Sequence, residues 1–567
     1  MGRTVAIGHQ DFETVRKENY FYVDKTEFIK EWWENGDSVT LLTRPRRFGK
    51  TLNMSMLEKF FSVAYADRED LFEGLSIWQE EKYRSLQGTY PVISLSFAKV
   101  KQNSYESARK MIGQIIANLY NQYDYLLDSD KLNEREKEFC RKISDDMEDH
   151  IAIDSLSELS HYLMKHYGRK VIILLDEYDT PMQEAYVYGY RKELVTFTRG
   201  LFNSTFKTNP CLERAVMTGI TRVSKESIFS DLNNLKVVTT TSPKYGDCFG
   251  FTEEEVFAAM DECGCIEKEE VKRWYDGFVF GEKRDIYNPW SILNYLDTGK
   301  FMTYWANTSS NSLVGKLIRE GSKNLKASFE ALLDGQHLWT QVDEQIVYNQ
   351  LDMDEQAIWS FLLASGYLKV ISYEEYSSEN ETPEYELALT NLEVKIMFRN
   401  MIRRWFGVVR SDYNDFVQAL LIGDVDAMNE YMNRVALATF SSFDSGTHPS
   451  GKTEPERFYH GFVLGLIVEL QGKYTVTSNR ESGFGRYDVV LEPISGQDDA
   501  IILEFKVQNS KRESSLDETL ENALKQIEDK EYAAALTAKG IPGERIRKYG
   551  FAFEGKKVLI GTQQADG

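Results

Sequence analysis

Apolar and polar positions switch between two periods along the first 250 residues. Residues 38–43, 91–98, 170–175 and 213–220 are short runs rich in aliphatic side chains, the pattern of strands buried on both faces. Between them, residues 50–65, 104–127, 155–166 and 190–206 carry apolar side chains at helical spacing. A charged stretch, 128–149, reads as an exposed helix or an insert. Strands and helices of these lengths in alternation predict a mainly parallel α/β sheet.

Beyond residue 250 the pattern changes. Residues 253–263 and 269–275 have helical spacing, and the chain to about residue 340 is expected to be mostly helical. Residues 357–389 read as helix, strand, acidic turn (SSENETPE) and strand, the order of a small winged-helix-like module, with helices from 392 to about 440. A polar loop, SSFDSGTHPSGKTEPE, precedes the last unit. From residue 457 the order is helix, three strands (474–477, 486–492, 500–507), helix (515–532) and two strands (549–553, 557–560), a compact α+β domain. The reading gives four parts: 1–250, 251–340, 341–445 and 446–567.

Composition fits this division. A chain of 567 residues suggests about three or four domains. Hydrophobic residues at 42% and aromatics at 13% supply sizeable cores, which excludes a disordered, collagen-like or disulfide-stapled chain. The net charge of −22 repels phosphate at long range, so a general nucleic-acid coat is not expected. A nucleic-acid enzyme with its basic residues gathered in one cleft remains compatible. Five sparse cysteines, none with zinc-knuckle spacing, suit a reducing compartment. The first residues, MGRTVAIGHQ, lack a secretory apolar core, and the longest apolar runs fall short of the ~20 residues of a membrane span. A cytoplasmic protein without membrane contact is expected.

The segment Arg44-Pro-Arg-Arg-Phe-Gly-Lys-Thr51 follows a strand and opens a helix, where free N–H groups and the helix dipole favour an anion. There Gly49 lets the backbone approach phosphate, Lys50 reaches the β- and γ-phosphates, Thr51 offers a hydroxyl to Mg²⁺, and Arg46 and Arg47 add charge. Arg44 stands where the usual pattern has glycine. The plainer reading is a basic surface loop capped by a helix. A second feature, Val171-Ile-Ile-Leu-Leu-Asp-Glu177, is an apolar strand ending in two acids. Asp176 suits the Mg²⁺ shell, and Glu177 suits the water-activating base. At the end of the 213–220 strand, Thr218 and Thr221 are placed to sense the γ-phosphate, and Arg222 to offer charge to the transition state in cis or across a homo-oligomeric interface. The other reading is a polar cluster at a strand end.

These runs, with FYVDKTEFIKEW and MTGITRVSKESIFSDLNN, resemble the predicted bacterial AAA-ATPase-like family. The resemblance covers nearly the whole chain, and RPRRFGKT is the family's ordinary form of the loop. It implies an ASCE-type P-loop NTPase fold using ATP and Mg²⁺, often joined to a C-terminal PD-(D/E)XK restriction-endonuclease-like domain.

In the last unit Asp488 lies on one strand and Glu504-Phe-Lys506 on the next, and residues two apart on a strand share a face. Asp488 and Glu504 would hold Mg²⁺ as hard oxygen ligands, and Lys506 would position water or stabilise the phosphorus centre. Glu469, on the preceding helix, would add a carboxylate, and Gln526 and Tyr532 would support Lys506 or touch a phosphate. Without the resemblance, a surface hairpin with ordinary cross-strand charge pairs would account for the same residues. The expected function is an ATPase coupled to Mg²⁺-dependent hydrolysis of DNA or RNA. The alternative is a nucleotide-switched signalling or assembly protein whose nuclease-like domain only binds.

Overall fold

The computed structural model describes residues 3–221, 229, 232–305, 312–320, 322–343, 351, 354–374, 383–406, 413–439, 463–467, 470, 473–482, 485–494, 498–509 and 511–562. The chain divides into two compact units, Met1–Leu317 with Gly335–Met397, and Ile318–Asp334 with Phe398–Gly567.

The first unit is built on a five-stranded sheet of β1 (Val39–Thr43), β2 (Val92–Ser96), β3 (Val171–Asp176), β4 (Leu212–Gly219) and β5 (Leu235–Val238). The order is β2-β3-β4-β1-β5, and every pairing is parallel. All positions of β1 and β3 are buried, which explains their unbroken apolar runs: helices cover a parallel sheet on both faces. The strand leading into the phosphate loop, β1, is separated from the acid-terminated β3 by β4, the arrangement of the ASCE class. Helices Phe12–Lys17 and Glu27–Asn35, not anticipated from the pattern, add Phe12, Phe28 and Trp32 to the core.

The stretch expected to be mostly helical also holds a small antiparallel sheet. Its strands are β6 (Phe251–Thr252), β7 (Phe278–Phe280) and β8 (Lys283–Tyr287), in the order β6-β8-β7. They are two to five residues long, and Lys283, Arg284 and Asp285 are exposed, so they leave almost no periodic signal. Helices Glu253–Cys263, Lys268–Tyr275 and Pro289–Thr298 surround it. The winged-helix-like pattern forms as helix Glu355–Ala364 with β9 (Leu338–Gln341), β10 (Leu368–Glu374) and β11 (Glu384–Leu389), an antiparallel sheet in the order β10-β11-β9.

The second unit carries β12 (Tyr474–Ser482), β13 (Gly485–Pro493), β14 (Ala500–Val507), β15 (Ile546–Glu554) and β16 (Lys557–Thr562) in sequential order. Only the β14–β15 pairing is parallel. On β14, Ile501, Leu503 and Phe505 enter one core with Phe416, Met432 and Phe551, whereas Ala500 and Ile502 enter another with Ile527 and Tyr532. Helix Leu516–Asp529 lies close to the sheet because β15 and β16 offer glycines there: a Cβ on Gly550 or Gly561 would come within 2.8 or 2.6 Å of Leu520. The outer edge of β16 is closed by two side chains of helix Val425–Thr439. Asn429 exchanges two hydrogen bonds with the backbone of Ile560, both at 2.8 Å, and Asn433 two with Val558, at 2.9 and 2.7 Å. Among the described residues no helix is long and apolar enough to cross a membrane.

Candidate functional site

The loop after β1 turns on Arg47 (φ 66) and Gly49 (φ 80) and enters helix Lys50–Phe61, with Gly49 as its N-cap residue. A Cβ on Gly49 would meet nothing within 4 Å, so the space there is open, and its left-handed backbone is what calls for glycine. Lys50 is 6% exposed, and its Nζ donates to the carbonyls of Arg44 and Pro45, both at 2.9 Å. Burial lowers its pKa, and Glu177 and Asp176 oppose that shift. Arg44, the departure from the usual glycine, is a buried strut. Its guanidinium donates to the carbonyls of Thr239 (2.6 Å) and Lys244 (3.2 Å) and lies 4.6 Å from the Phe280 ring.

Asp176 ends β3 at 5% exposure between two hydroxyls. Thr51 Oγ1 donates to its Oδ2 at 2.7 Å, and Thr218, at the end of β4, donates to Oδ1. Burial raises the Asp176 pKa, and these two hydrogen bonds offset part of the rise. The chain then turns left-handed at Glu177 (φ 51), whose N–H donates to Thr218 Oγ1 at 3.3 Å and whose Oε2 accepts from Thr180 Oγ1 at 3.0 Å. Thus Lys50, Thr51, Asp176, Glu177 and Thr218 form one site. A carboxylate and a hydroxyl, hard oxygen donors beside an open glycine-lined loop, fit a Mg²⁺–nucleotide. Arg222 lies outside the described residues.

Arg46 does not enter that cluster in the same way: its Nη2 donates to Gln183 Oε1 at 3.1 Å. Gln183 Nε2 in turn donates to Asp179 Oδ2 at 3.2 Å. Asp179 is 1% exposed and also accepts from the N–H groups of Ile220 (2.9 Å) and Thr221 (3.0 Å), and burial raises its pKa. Sequence reasoning missed Asp179 and Gln183. The signal was their spacing: Asp179 is the N-cap residue of helix Thr180–Tyr188, just after the acid pair, and Gln183 lies one turn on. Trp32 is fully buried core, and Trp33 stacks on Phe61 with the Arg214 guanidinium 4.1 Å from its ring.

In the second unit Glu504 is 2% exposed and Lys506 half-buried; by the period of two they share the side of β14 that carries Ile502. Gln526, on helix Leu516–Asp529, donates to Glu504 Oε1 and to Tyr532 Oη, the latter at 3.1 Å. The expected support of Lys506 by Gln526 is therefore replaced by support of Glu504. Strand β13 pairs Val489 with Leu503, Val490 with Ile502 and Leu491 with Ile501. The side chain of Asp488 and all of Glu469 lie outside the described residues. Glu513 accepts from Asn509 N (2.9 Å), Thr519 Oγ1 (2.9 Å) and Asn522 Nδ2 (2.8 Å). Burial raises its pKa, but these bonds and the nearby Lys506 charge leave it below the ordinary value. Of the basic residues in this domain, Arg545 and Arg547 pair with Asp499 at 3.3 and 2.6 Å, and Lys548 with Glu528 at 2.6 Å.

A separate acidic group joins Glu253, Asp276 and Asp285, whose ligand-type oxygens all lie within 4.8 Å of one another. Lys272 binds Glu253, and Tyr287 Oη donates to it at 3.1 Å. Burial, and next the Asp285 charge, push Asp276 up to about 7.

Comparison with known proteins agrees with this architecture. Residues 6–229 match the family model of the predicted AAA-ATPases, and residues 454–563 that of the PD-(D/E)XK nuclease superfamily. An uncharacterized protein in the vnfD 5′ region of Azotobacter chroococcum mcd 1 is 26% identical over 555 residues, 95% of either chain. A solved structure, the signal transduction ATPase with numerous domains (STAND) protein with a tetratricopeptide repeat sensor from Pyrococcus horikoshii, covers 80% of this chain at 12% identity and a TM-score of 0.23. This chain spans 54% of the length of that protein, and so low a score carries no common geometry. The chain therefore joins a part similar to the predicted AAA-ATPases, over residues 6–229, to a part similar to the PD-(D/E)XK nuclease superfamily, over residues 454–563.

Proposed function

We propose that the first unit binds and hydrolyses ATP, and that the second hydrolyses phosphodiester bonds of DNA or RNA with Mg²⁺. The observation that carries the first part is the meeting of Thr51 with Asp176 at 2.7 Å beside Lys50 and Glu177. Lys50 would exchange its two loop carbonyls for β- and γ-phosphate oxygens. Thr51 and Asp176 would hold Mg²⁺, which neutralises phosphate charge when bound. Glu177, oriented by Thr180, would accept a proton from the attacking water. Arg222 would add charge to the transition state. In the second unit Glu504, oriented by Gln526, would hold Mg²⁺ with Asp488 and Glu469, and Lys506 would position the attacked phosphate. ATP turnover would gate cleavage, within a homo-oligomer or a single chain, in the cytoplasm.

Side-by-side assays of wild type, Lys50→Ala and Lys506→Ala on single- and double-stranded DNA and RNA, with and without ATP, test both parts. Lys50→Ala is expected to abolish ATP turnover, and Lys506→Ala to abolish Mg²⁺-dependent cleavage. Turnover or cleavage that survives its own substitution rejects the corresponding assignment. One observation favours the alternative of a nucleotide switch with a binding-only terminal domain: Arg545, Arg547 and Lys548 are engaged by carboxylates, which reduces the charge available to nucleic acid. Metal binding with no cleavage of any of the four substrates would establish that reading.

A further inference from the structure

The phosphate loop is held from outside by a later segment of the same unit. Asn288, fully buried, accepts from the N–H groups of Trp290 (2.9 Å) and Ser291 (3.3 Å) and so caps helix Pro289–Thr298. Its Nδ2 donates to the carbonyl of Arg46 at 3.3 Å, and the indole N–H of Trp305 donates to the same carbonyl at 3.0 Å. The Arg47 guanidinium lies 4.3 Å from the centre of the Trp290 ring. Both arms of this clasp end on one buried carboxylate. Glu393, 1% exposed, accepts from Trp305 N at 2.7 Å through Oε1 and from Ser291 Oγ at 2.8 Å through Oε2.

Glu393 stands in the first turn of helix Leu392–Phe406, directly after β11. The same module meets the loop a second time, where Gly366 (φ +84) abuts Pro45 so closely that a Cβ would fall 2.8 Å from Pro45 Cγ. A buried carboxylate is costly unless hydrogen-bonded, and here its donors belong to the segment that fixes the loop. We propose that Glu393 is a positioning residue that couples the phosphate loop to the β9–β11 module. Any ligand that shifts the Arg46 carbonyl then changes the order of the first turn of the Leu392 helix, and loosening that turn weakens the ligand by the same factor. The ligand named here, ATP, rests on the proposed function; the clasp itself does not.

The test uses the full chain as wild type, Glu393→Ala, Glu393→Asp and Glu393→Gln, with hydrogen exchange and equilibrium binding of ATP. Without nucleotide, Glu393→Ala is expected to speed exchange in the 44–51 loop. Should the Ala form not fold, Glu393→Asp, too short to reach both donors, is read in its place. With nucleotide, wild type gains protection at residues 392–397. The Ala form loses that gain and binds ATP about 10-fold more weakly, within the usual range of coupling. Glu393→Gln, which keeps the acceptor for Trp305 and can donate to Ser291, restores most of both. Loop exchange unchanged in a folded Ala or Asp form overturns the coupling. Absence of ATP binding by wild type would instead reject the proposed function, and the nucleotide-free exchange still decides the clasp.

Discussion

Thr51 and Asp176 lie 125 positions apart in the chain and meet in a 2.7 Å hydrogen bond. The parallel order brings them together: β1 and β3 flank β4, and Thr218 on that intervening strand also donates to Asp176. Thr51→Ala is expected to lower ATP turnover about 10-fold or more and to raise the Mg²⁺ concentration needed for half-maximal rate. Turnover measured against Mg²⁺ checks this, and an unchanged Mg²⁺ dependence would remove Thr51 from the metal shell.

The Glu177 carboxylate accepts a hydrogen bond from Thr180, and towards Lys50 it acts through its charge. Glu177→Gln is therefore expected to keep nucleotide affinity within about 3-fold while turnover drops on the order of 100-fold, the usual weight of a general base. Affinity that falls in step with turnover would assign the residue to binding.

Gln526 holds one oxygen of Glu504, in the way that outer partners orient metal-binding carboxylates. Gln526→Ala is expected to weaken Mg²⁺ or Mn²⁺ at the terminal domain by about 10-fold or more, read by titration calorimetry of the full chain in the Lys50→Ala background. Equal metal affinity in the two proteins would leave Gln526 a packing residue.

Asp276, raised from 3.8 to about 7 by burial and by Asp285, holds its proton more tightly folded than unfolded. Its contribution to stability is therefore full below about pH 4 and is lost as pH rises toward 7. Glu253, Tyr287, Lys272, Lys369 and Arg284 face the same cluster, and the lysines limit the loss. Asp276→Asn is expected to stabilise the protein at pH 8 by about 1–2 kcal/mol after allowance for solvent, and by less at pH 5. Thermal melting at the two pH values checks the sign; a larger gain at pH 5 would contradict it.

Asn429 and Asn433 each satisfy one outward N–H and one outward C=O of β16. Replacing either by Ala is expected to cost about 1–2 kcal/mol in denaturant unfolding. The double substitution frees an edge strand and should raise self-association in light scattering. A double variant that stays as dispersed as wild type would show that the edge needs no cover.

Much of the nucleotide unit was legible because its signals are local. Strands β1 and β3 are apolar throughout, and the loop, the helix start and the acid pair follow them directly. Arg44 looked like a departure because its partners, the carbonyls of Thr239 and Lys244, are some 200 residues away, and no local pattern announces them. The link from Arg46 through Gln183 to Asp179, and the clasp by Asn288 and Trp305, were illegible for the same reason. Strands β6 and β7 escaped notice because they are too short to set up a period of two, and β8 because its first three residues are all charged and exposed. Glu504 and Lys506 were readable as a pair on one side of β14, but not that Gln526 would choose the carboxylate over the lysine.

The bend at Glu177 narrows what evolution can place there. Glycine would adopt φ 51 with ease but would carry no acid, and side chains branched at Cβ are strongly disfavoured at that angle. An asparagine would fit the corner and leave it without a base. With the base role proposed for Glu177, conformational tolerance and chemical need would coincide at this one position, and drift that relaxes the corner would silence the proposed reaction before it loosens the domain.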